Sequence, residues 1–358
     1  MIVRDEEAII QQCLESVKPY IDCWVIVDTG STDNTPNVIE NFMHEANIPG
    51  ELHHEKFVDF STTRNFALEK CRASDLQYEY ILLIDADMEL IVSDLTALNT
   101  LNAPAYKVEQ YNSISYYNTR IILRDTPSMY KGVTHEYLWT THDALRLAGV
   151  SMADHANGSN RKHKIMRDIS LLTNEIKNNP SNLRNRFYLA QTLRDAKKYE
   201  EALGHYRIRS VSGGWEEEAW YSEYQASRCL YYLGRKEEFE VAALKCWERR
   251  PQRAEPLALL VRHYREVGNY NEAFRLGSVG KTIKYPDSDS LFIELAVYKW
   301  FFDQELAVSG YYTNRDEDYA IGKHSCESLI TNPDAPSIIR EHAKKNLQFY
   351  LNSSRLLT

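Results

Sequence analysis

Glycine and proline are scarce, at 14 and 11 in 358 residues. So few turn-formers argue against a loop-rich all-β chain and for long regular elements. The six cysteines, Cys13, Cys23, Cys71, Cys229, Cys246 and Cys326, show no CxxC and no metal spacing. They read as reduced thiols, mostly in cores, not as a disulfide framework. No apolar run approaches the ~18–20 residues of a membrane span. The chain opens without a basic segment leading into an apolar core, so no secretory signal is visible. Hydrophobic residues make up 43% and charged residues 26%, which excludes disordered and fibrous classes. At ~100–200 residues per domain, the length predicts two or three domains in a cytoplasmic protein.

The net charge of −9 is unevenly spread. Residues 1–150 hold 11 Lys+Arg and 23 Asp+Glu, or −12, leaving 31 and 28, or +3, in the remainder. An acidic half is either a solvated surface or a collection of carboxylates that holds a cation.

The first half alternates strand and helix. Met1-Ile2-Val3 runs into Arg4-Asp5-Glu6-Glu7 and then an amphipathic stretch (Ala8, Ile9, Cys13, Leu14, Val17), which reads as strand, loop, helix. Trp24–Asp28 is an apolar run of strand length. Thr29–Asn34 is turn chemistry, and Pro36 suits the first turn of a helix reaching about Ala46. Tyr80–Ile84 is another apolar strand, ending in Asp85-Ala86-Asp87. This order predicts a mostly parallel sheet in an α/β domain. Tyr106–Val108, Thr119–Leu123 and Met129–Trp139 predict a smaller mixed region. In open sheets of this kind, ligands bind beyond the carboxyl ends of the strands, where the acidic motifs fall.

From about residue 164 the pattern is helical and self-similar. Arg194–Ala202 recurs as Arg265–Ala273, 71 positions on, with an intermediate copy at Tyr231–Phe239, 34 positions before the last. Repeats near 34 residues resemble tetratricopeptide hairpins. Such stacks present a concave surface for peptide binding or dimerisation, so a homodimer through this half is one expectation.

The chemistry centres on Asp85 and Asp87. Residues i and i+2 leaving a strand share a side, so their carboxylates can converge on one cation. Carboxylates with phosphate oxygens suit a hard octahedral ion such as magnesium or manganese. A nucleotide diphosphate becomes a workable leaving group when such an ion neutralises its charge.

Met1–Glu7, then Val27–Asp33, Thr63-Arg64-Asn65-Phe66-Ala67 and Asp85-Ala86-Asp87 together resemble the ordered motifs of family 2 glycosyltransferases of the GT-A fold. The likeness spans roughly residues 1–160. Arg4-Asp5-Glu6-Glu7 stands where the family commonly has Lys-Asn-Glu-Glu. The resemblance implies a Rossmann-like GT-A domain at 1–160 and an all-α tetratricopeptide-like domain at 161–358. It implies a metal-dependent, inverting transfer of a hexose-type sugar from a nucleotide sugar, UDP-linked, to a protein, peptide or glycan acceptor.

Site roles follow from the same resemblance. Val3 borders the nucleoside, and Glu6 binds the ribose or orders the loop after the first strand. Asp28 accepts from the uracil ring N–H, and Asp33 is either a nucleotide contact or a helix cap. Arg64 faces the diphosphate or holds the Asp85–Asp87 loop. Asp85 and Asp87 bind the metal, with His155 where such folds often carry a ligand histidine. Arg161, Lys162 and Lys164 form a basic loop able to close on a diphosphate. The base that takes the acceptor proton is Glu136, with His135 second, in Lys131-Gly132-Val133-Thr134-His135-Glu136-Tyr137. The usual family Asp of a Glu-Asp pair is absent.

Two other readings stay open: a repeat-based interaction scaffold with an inactive transferase domain, and a sugar transferase acting on modified nucleic acid. The acidic first half disfavours a phosphate-tracking groove. A GxGxxG after the first strand is lacking, which disfavours a dinucleotide dehydrogenase.

Overall fold

The computed structural model describes residues 1–112, 115–155, 157–158 and 164–352. It divides into two compact units, Met1–Ser181 and Asn182–Thr358, one helix downstream of residue 160.

In the first unit, β1 (Ile2–Val3), β2 (Trp24–Asp28) and β3 (Gly50–His54) form a parallel three-stranded sheet. The register pairs Val3 with Asp28, so both strands deliver their ends to one edge. Between them run α1 (Ile10–Val17) and α2 (Thr35–Glu45), with Pro36 in the first turn of α2. Ile10 and Leu14 of α1 and Ile39 and Met43 of α2 bury against Val3 and Ile26. That is the i, i+4 spacing that places side chains on one helical face.

The helix α3 (Phe60–Ala73) leads to β4 (Tyr80–Leu82). Further on come β5 (Met88–Val92), the short α4 (Leu95–Asn99), β6 (Ala105–Tyr111), β7 (Ser115–Leu123) and β10 (Leu145–Asp154). These strands make a five-stranded sheet in the order β4-β7-β6-β10-β5. Only β6 and β10 pair in parallel there, so the expected parallel arrangement holds in β1–β2–β3, the expected mixed region follows, and β4, read with the parallel strands, joins the mixed sheet instead. The cause is local. β6 and β7 are adjacent in sequence with a short connection, which joins antiparallel neighbours, whereas parallel neighbours need a crossover. Two further strands, β8 (Ser128–Lys131) and β9 (Tyr137–Thr140), form a hairpin whose loop holds residues 132–136. Helix α5 (Lys164–Asn178) closes the unit.

The second unit is a series of antiparallel helical hairpins. The first three are α6 (Leu183–Asp195) with α7 (Tyr199–Val211), α8 (Glu216–Tyr232) with α9 (Lys236–Arg249), and α10 (Glu255–Glu266) with α11 (Tyr270–Lys281). Beyond them lie α12 (Phe302–Tyr312), α13 (Asp316–Thr331) and α14 (Ser337–Asn352). The three copies noted in the sequence are the three hairpin turns. Lys197, Gly234 and Gly268, at the same place in each copy, all have left-handed backbone, with φ of 60°, 71° and 79°.

All six cysteines are free, and five are buried. Among the described residues, no helix is long and apolar enough to cross a membrane.

Candidate active site

A cleft of about 400 Å³ opens beyond the ends of β1 and β4. Its walls bring together Val3, Glu6, Arg64, Asp85, Asp87, His135, Glu136 and Lys164 of the residues read from the sequence. Asp154, Gly158 and Arg167 also line it. A second cavity of about 340 Å³, behind it, is lined mainly by apolar core residues such as Leu14, Ile26 and Leu83.

Arg64 is the hinge of the cleft's charge system. Asp59 caps α3 by accepting from the Thr62 N–H at 2.8 Å, which fixes the turn that presents Arg64. One Arg64 nitrogen meets Asp85 at 2.7 Å, and its Nε donates to Glu136 at 2.8 Å. The guanidinium also lies over the Tyr130 ring. Burial works against its charge, but Asp85, Tyr130 and Glu136 outweigh that and hold it protonated. The next residue, Asn65, donates to the Tyr130 carbonyl at 3.0 Å and accepts from the Tyr130 N–H at 2.7 Å. One turn of α3 therefore grips the β8–β9 hairpin twice.

Asp85 has a second cation, Arg120 of β7, at 3.4 Å. Arg120 is itself buried and donates to Gln110 Oε1 at 2.8 and 3.2 Å. Burial raises the Asp85 pKa, but Arg64 and then Arg120 dominate and hold it below the usual carboxylate range. Asp87 is the opposite case. Its pKa is raised by burial, then by Asp85 and Asp154, against hydrogen bonds from its own N–H and that of Gly158. One triplet thus holds a neutralised carboxylate and an under-neutralised one.

The three-residue metal set of Asp85, Asp87 and His155 is not assembled. The His155 N–H donates to the Asp87 carbonyl at 3.0 Å, but its ring Nε2 lies 3.1 Å from Glu89 and 3.2 Å from Gln12 Nε2. Successive side chains of an extended segment point to opposite sides. Asp154, one residue earlier and paired with Met88 in the β10–β5 register, is the one that shares the cleft with Asp87. Among the described residues, no group of three or more His, Cys, Asp or Glu side chains forms a ready-made metal site. The residues nonetheless fit a cation in another way: Asp87 and Asp154 are neighbouring carboxylates whose mutual repulsion a divalent ion would relieve.

Gly132 (φ 106°) and His135 (φ 50°) are both left-handed. That φ is what favours glycine at 132, where a Cβ would also crowd the Thr134 carbonyl oxygen at 3.3 Å. His135 has no such exemption and stores roughly 1–2 kcal/mol of backbone strain.

On the nucleoside side, Asp28 is buried and its carboxylate accepts from the Gly30 N–H at 3.1 Å and from the Ser31 N–H and hydroxyl. His54 approaches it at 3.4 Å. Asp28 therefore shapes its own turn, and Thr29 rather than Asp28 lines the cleft. Asp33 is exposed, and its carboxylate likewise serves its own turn. It accepts from the Thr35 N–H and hydroxyl and from the Glu7 N–H, and these bonds outweigh burial and lower its pKa. Arg161 and Lys162 lie outside the described residues.

Sequence reasoning missed Arg120, Asp154, Gly158 and Arg167. Strand pairing brings in Asp154 and also Arg120, which meets Asp85; Gly158 follows the end of β10, and Arg167 stacks on Phe60 at 4.7 Å. The one usable signal was the alternation that separates Asp154 from His155.

Residues 1–130 match the family model described as Glycosyl transferase family 2. The SPbeta prophage-derived glycosyltransferase SunS of Bacillus subtilis is 26% identical over 225 residues, 57% of this chain and 51% of that protein. A TPR repeat-containing protein of Synechococcus elongatus is 37% identical over 100 residues, 28% of this chain and 22% of that protein. The chain thus spans about half or less of the length of these relatives. A tetratricopeptide repeat protein of Parabacteroides merdae aligns with TM-score 0.37 and 15% identity, covering 53% of this chain and 68% of that one. The N-terminal unit carries a glycosyl transferase family 2 domain, and the chain continues into tetratricopeptide-like helical hairpins.

Proposed function

We propose that the cleft transfers a hexose-type sugar from a UDP-sugar to a nucleophile on a protein, peptide or glycan, with inversion at the anomeric carbon. The observation that carries this reading is the convergence of Asp87, Asp154, Glu136 and Lys164 in one cleft at the strand ends. A divalent cation held by Asp87 and Asp154 would supply Lewis-acid neutralisation of the departing diphosphate. Lys164 and Arg167, on the same wall, add positive charge where the phosphates would lie. Val3, Glu6 and the turn built by Asp28 and Asp33 border the nucleoside. Glu136, fixed by Arg64, is placed to take the acceptor proton, and His135 is the second candidate. Arg64 and Arg120 hold Asp85 and so keep the Asp85–Asp87 loop in place.

Thermal unfolding with UDP and manganese tests the donor side. At about 100 times Kd the N-terminal unit gains roughly 5–10 °C. No shift at millimolar nucleotide would leave an interaction scaffold as the better reading.

A further inference from the structure

Side chains two apart on a strand share a face of the sheet, and so do directly paired residues of neighbouring strands. Gln110 of β6 pairs with Tyr116 of β7 on one side and with Met152 of β10 on the other. Asp154 stands two residues beyond Met152 on the same strand. Gln110, Tyr116, Met152 and Asp154 therefore lie on one face. Asp154 lines the cleft, so this is the face on which the cleft is built.

A bulge brings Arg120 to the same face. Tyr106 pairs with Ile121 but Lys107 with Thr119, which leaves Arg120 as an extra residue on β7. Bulges re-aim side chains in this way beside sites. Arg120 donates to Gln110 Oε1 at 2.8 Å and meets Asp85 at 3.4 Å. Both Gln110 and Arg120 are buried and committed to this contact. At the end of β6, Asn112 Nδ2 donates to Asp154 at 3.5 Å, which ties that strand to the cleft wall.

Tyr116 stands on the same face without such a commitment. It is 40% exposed, and among the described residues its hydroxyl has no hydrogen-bond partner and its ring no stacking partner. Tyr117, on the opposite face, is by contrast covered by the Arg146 guanidinium at 4.4 Å. Burial and then Asp154 raise the Tyr116 pKa, so its hydroxyl keeps its proton beside the cleft's carboxylates. An apolar ring with an unused donor at the rim suits a ligand with apolar faces and a polar edge. A hexose has that form, with C–H faces and a ring of hydroxyls.

We infer that Tyr116 is the specificity residue for the transferred sugar: its ring covers one face of the hexose, and its hydroxyl bonds to a sugar hydroxyl. The inference rests on the proposed transfer from a UDP-sugar and names the side chain that selects the hexose. The sugar's position follows from its chemistry. It is bonded directly to the diphosphate, and the carboxylates of Asp87 and Asp154 lie where a cation would hold that group.

The test compares the wild-type, Tyr116→Phe and Tyr116→Ala chains with manganese, using UDP and a pair of UDP-hexoses that differ in the configuration of one hydroxyl. Tyr116→Ala should weaken binding of the preferred UDP-hexose by about ten-fold, read by calorimetry, with UDP itself bound as before. Tyr116→Phe should keep most of that affinity but shrink the kcat/KM ratio between the two hexoses by about two- to ten-fold. Circular dichroism establishes that each variant is folded, and Tyr116→Phe alone carries the test if Tyr116→Ala is not. Turnover by all three chains with an unchanged hexose ratio would overturn the inference and leave the transferase reading intact. Equal loss of UDP and UDP-hexose binding in Tyr116→Ala would overturn it too, since the residue would then act on the nucleotide or the fold. No nucleotide-sugar binding by the wild-type chain would remove the transferase reading and the inference with it.

Discussion

Asp85 and Asp87 stand two residues apart and do opposite things, and that contrast is where the residue chemistry is most exposed to test. Asp85 neutralises the buried Arg120 guanidinium and the half-buried one of Arg64. Asp85→Asn leaves Arg120 without its carboxylate and Arg64 with Glu136, and removing one partner of a buried pair costs on the order of 3 kcal/mol. Asp87 is penalised by burial and by like charges, with its pKa raised. A raised carboxyl binds its proton more tightly in the folded state, so its contribution is favourable at low pH and lost as pH rises through the raised pKa. Asp87→Asn therefore stabilises the metal-free protein at neutral pH, while Asp85→Asn destabilises it. Urea unfolding of the two variants checks the signs. At the acceptor side, Glu136→Gln should lower kcat by roughly 10²–10⁴-fold. Nucleotide binding, read by calorimetry, should be little changed. A loss carried by His135→Ala instead would reverse the order of the two candidates.

At the scale of elements, α3 is the organiser of the cleft. Asn65 pairs with Tyr130 through both its amide groups, as a strand neighbour would. Asn65→Ala leaves backbone groups unsatisfied and should cost about 1–3 kcal/mol while loosening the loop that carries Glu136. Amide exchange at Tyr130 reads this directly. In the helical unit, Lys197 holds a left-handed position that glycine holds in the two later turns. Lys197→Gly should add about 1 kcal/mol to stability, measured by urea unfolding. His205 offers a pH readout. Burial, then Arg186, lowers its pKa, and Arg186 lies 3.4 Å from its Nδ1. A depressed histidine disfavours protonation on folding, so stability falls as pH drops below the ordinary value near 6.5, and His205→Gln should flatten that slope.

Across the whole molecule, the strand at 24–28, the start of the one read at 80–84, the helix with Pro36 in its first turn and the repeat turns were legible because each is a local pattern of apolar period and turn residue. A mixed region beyond residue 104 was legible too, but its strand order was not, since that depends on which distant segments pair. The cleft was legible to the same depth. Motif residues such as Arg64 and Asp87 lie in it, but Arg120 and Asp154 reach it only through β7 and β10. Asp28 and Asp33 matched the motif, yet their carboxylates serve their own turns, because a short acidic side chain finds the nearest N–H first.

The most direct test of the account is release of free nucleotide from a panel of nucleotide sugars, with manganese, by the wild-type and Asp87→Asn chains. The account predicts turnover of one UDP-sugar that stops on chelation and falls by about 100-fold or more in Asp87→Asn, in line with lost Lewis-acid and electrostatic stabilisation. Undiminished turnover in Asp87→Asn, or none with any nucleotide sugar by a folded wild-type chain, would contradict it.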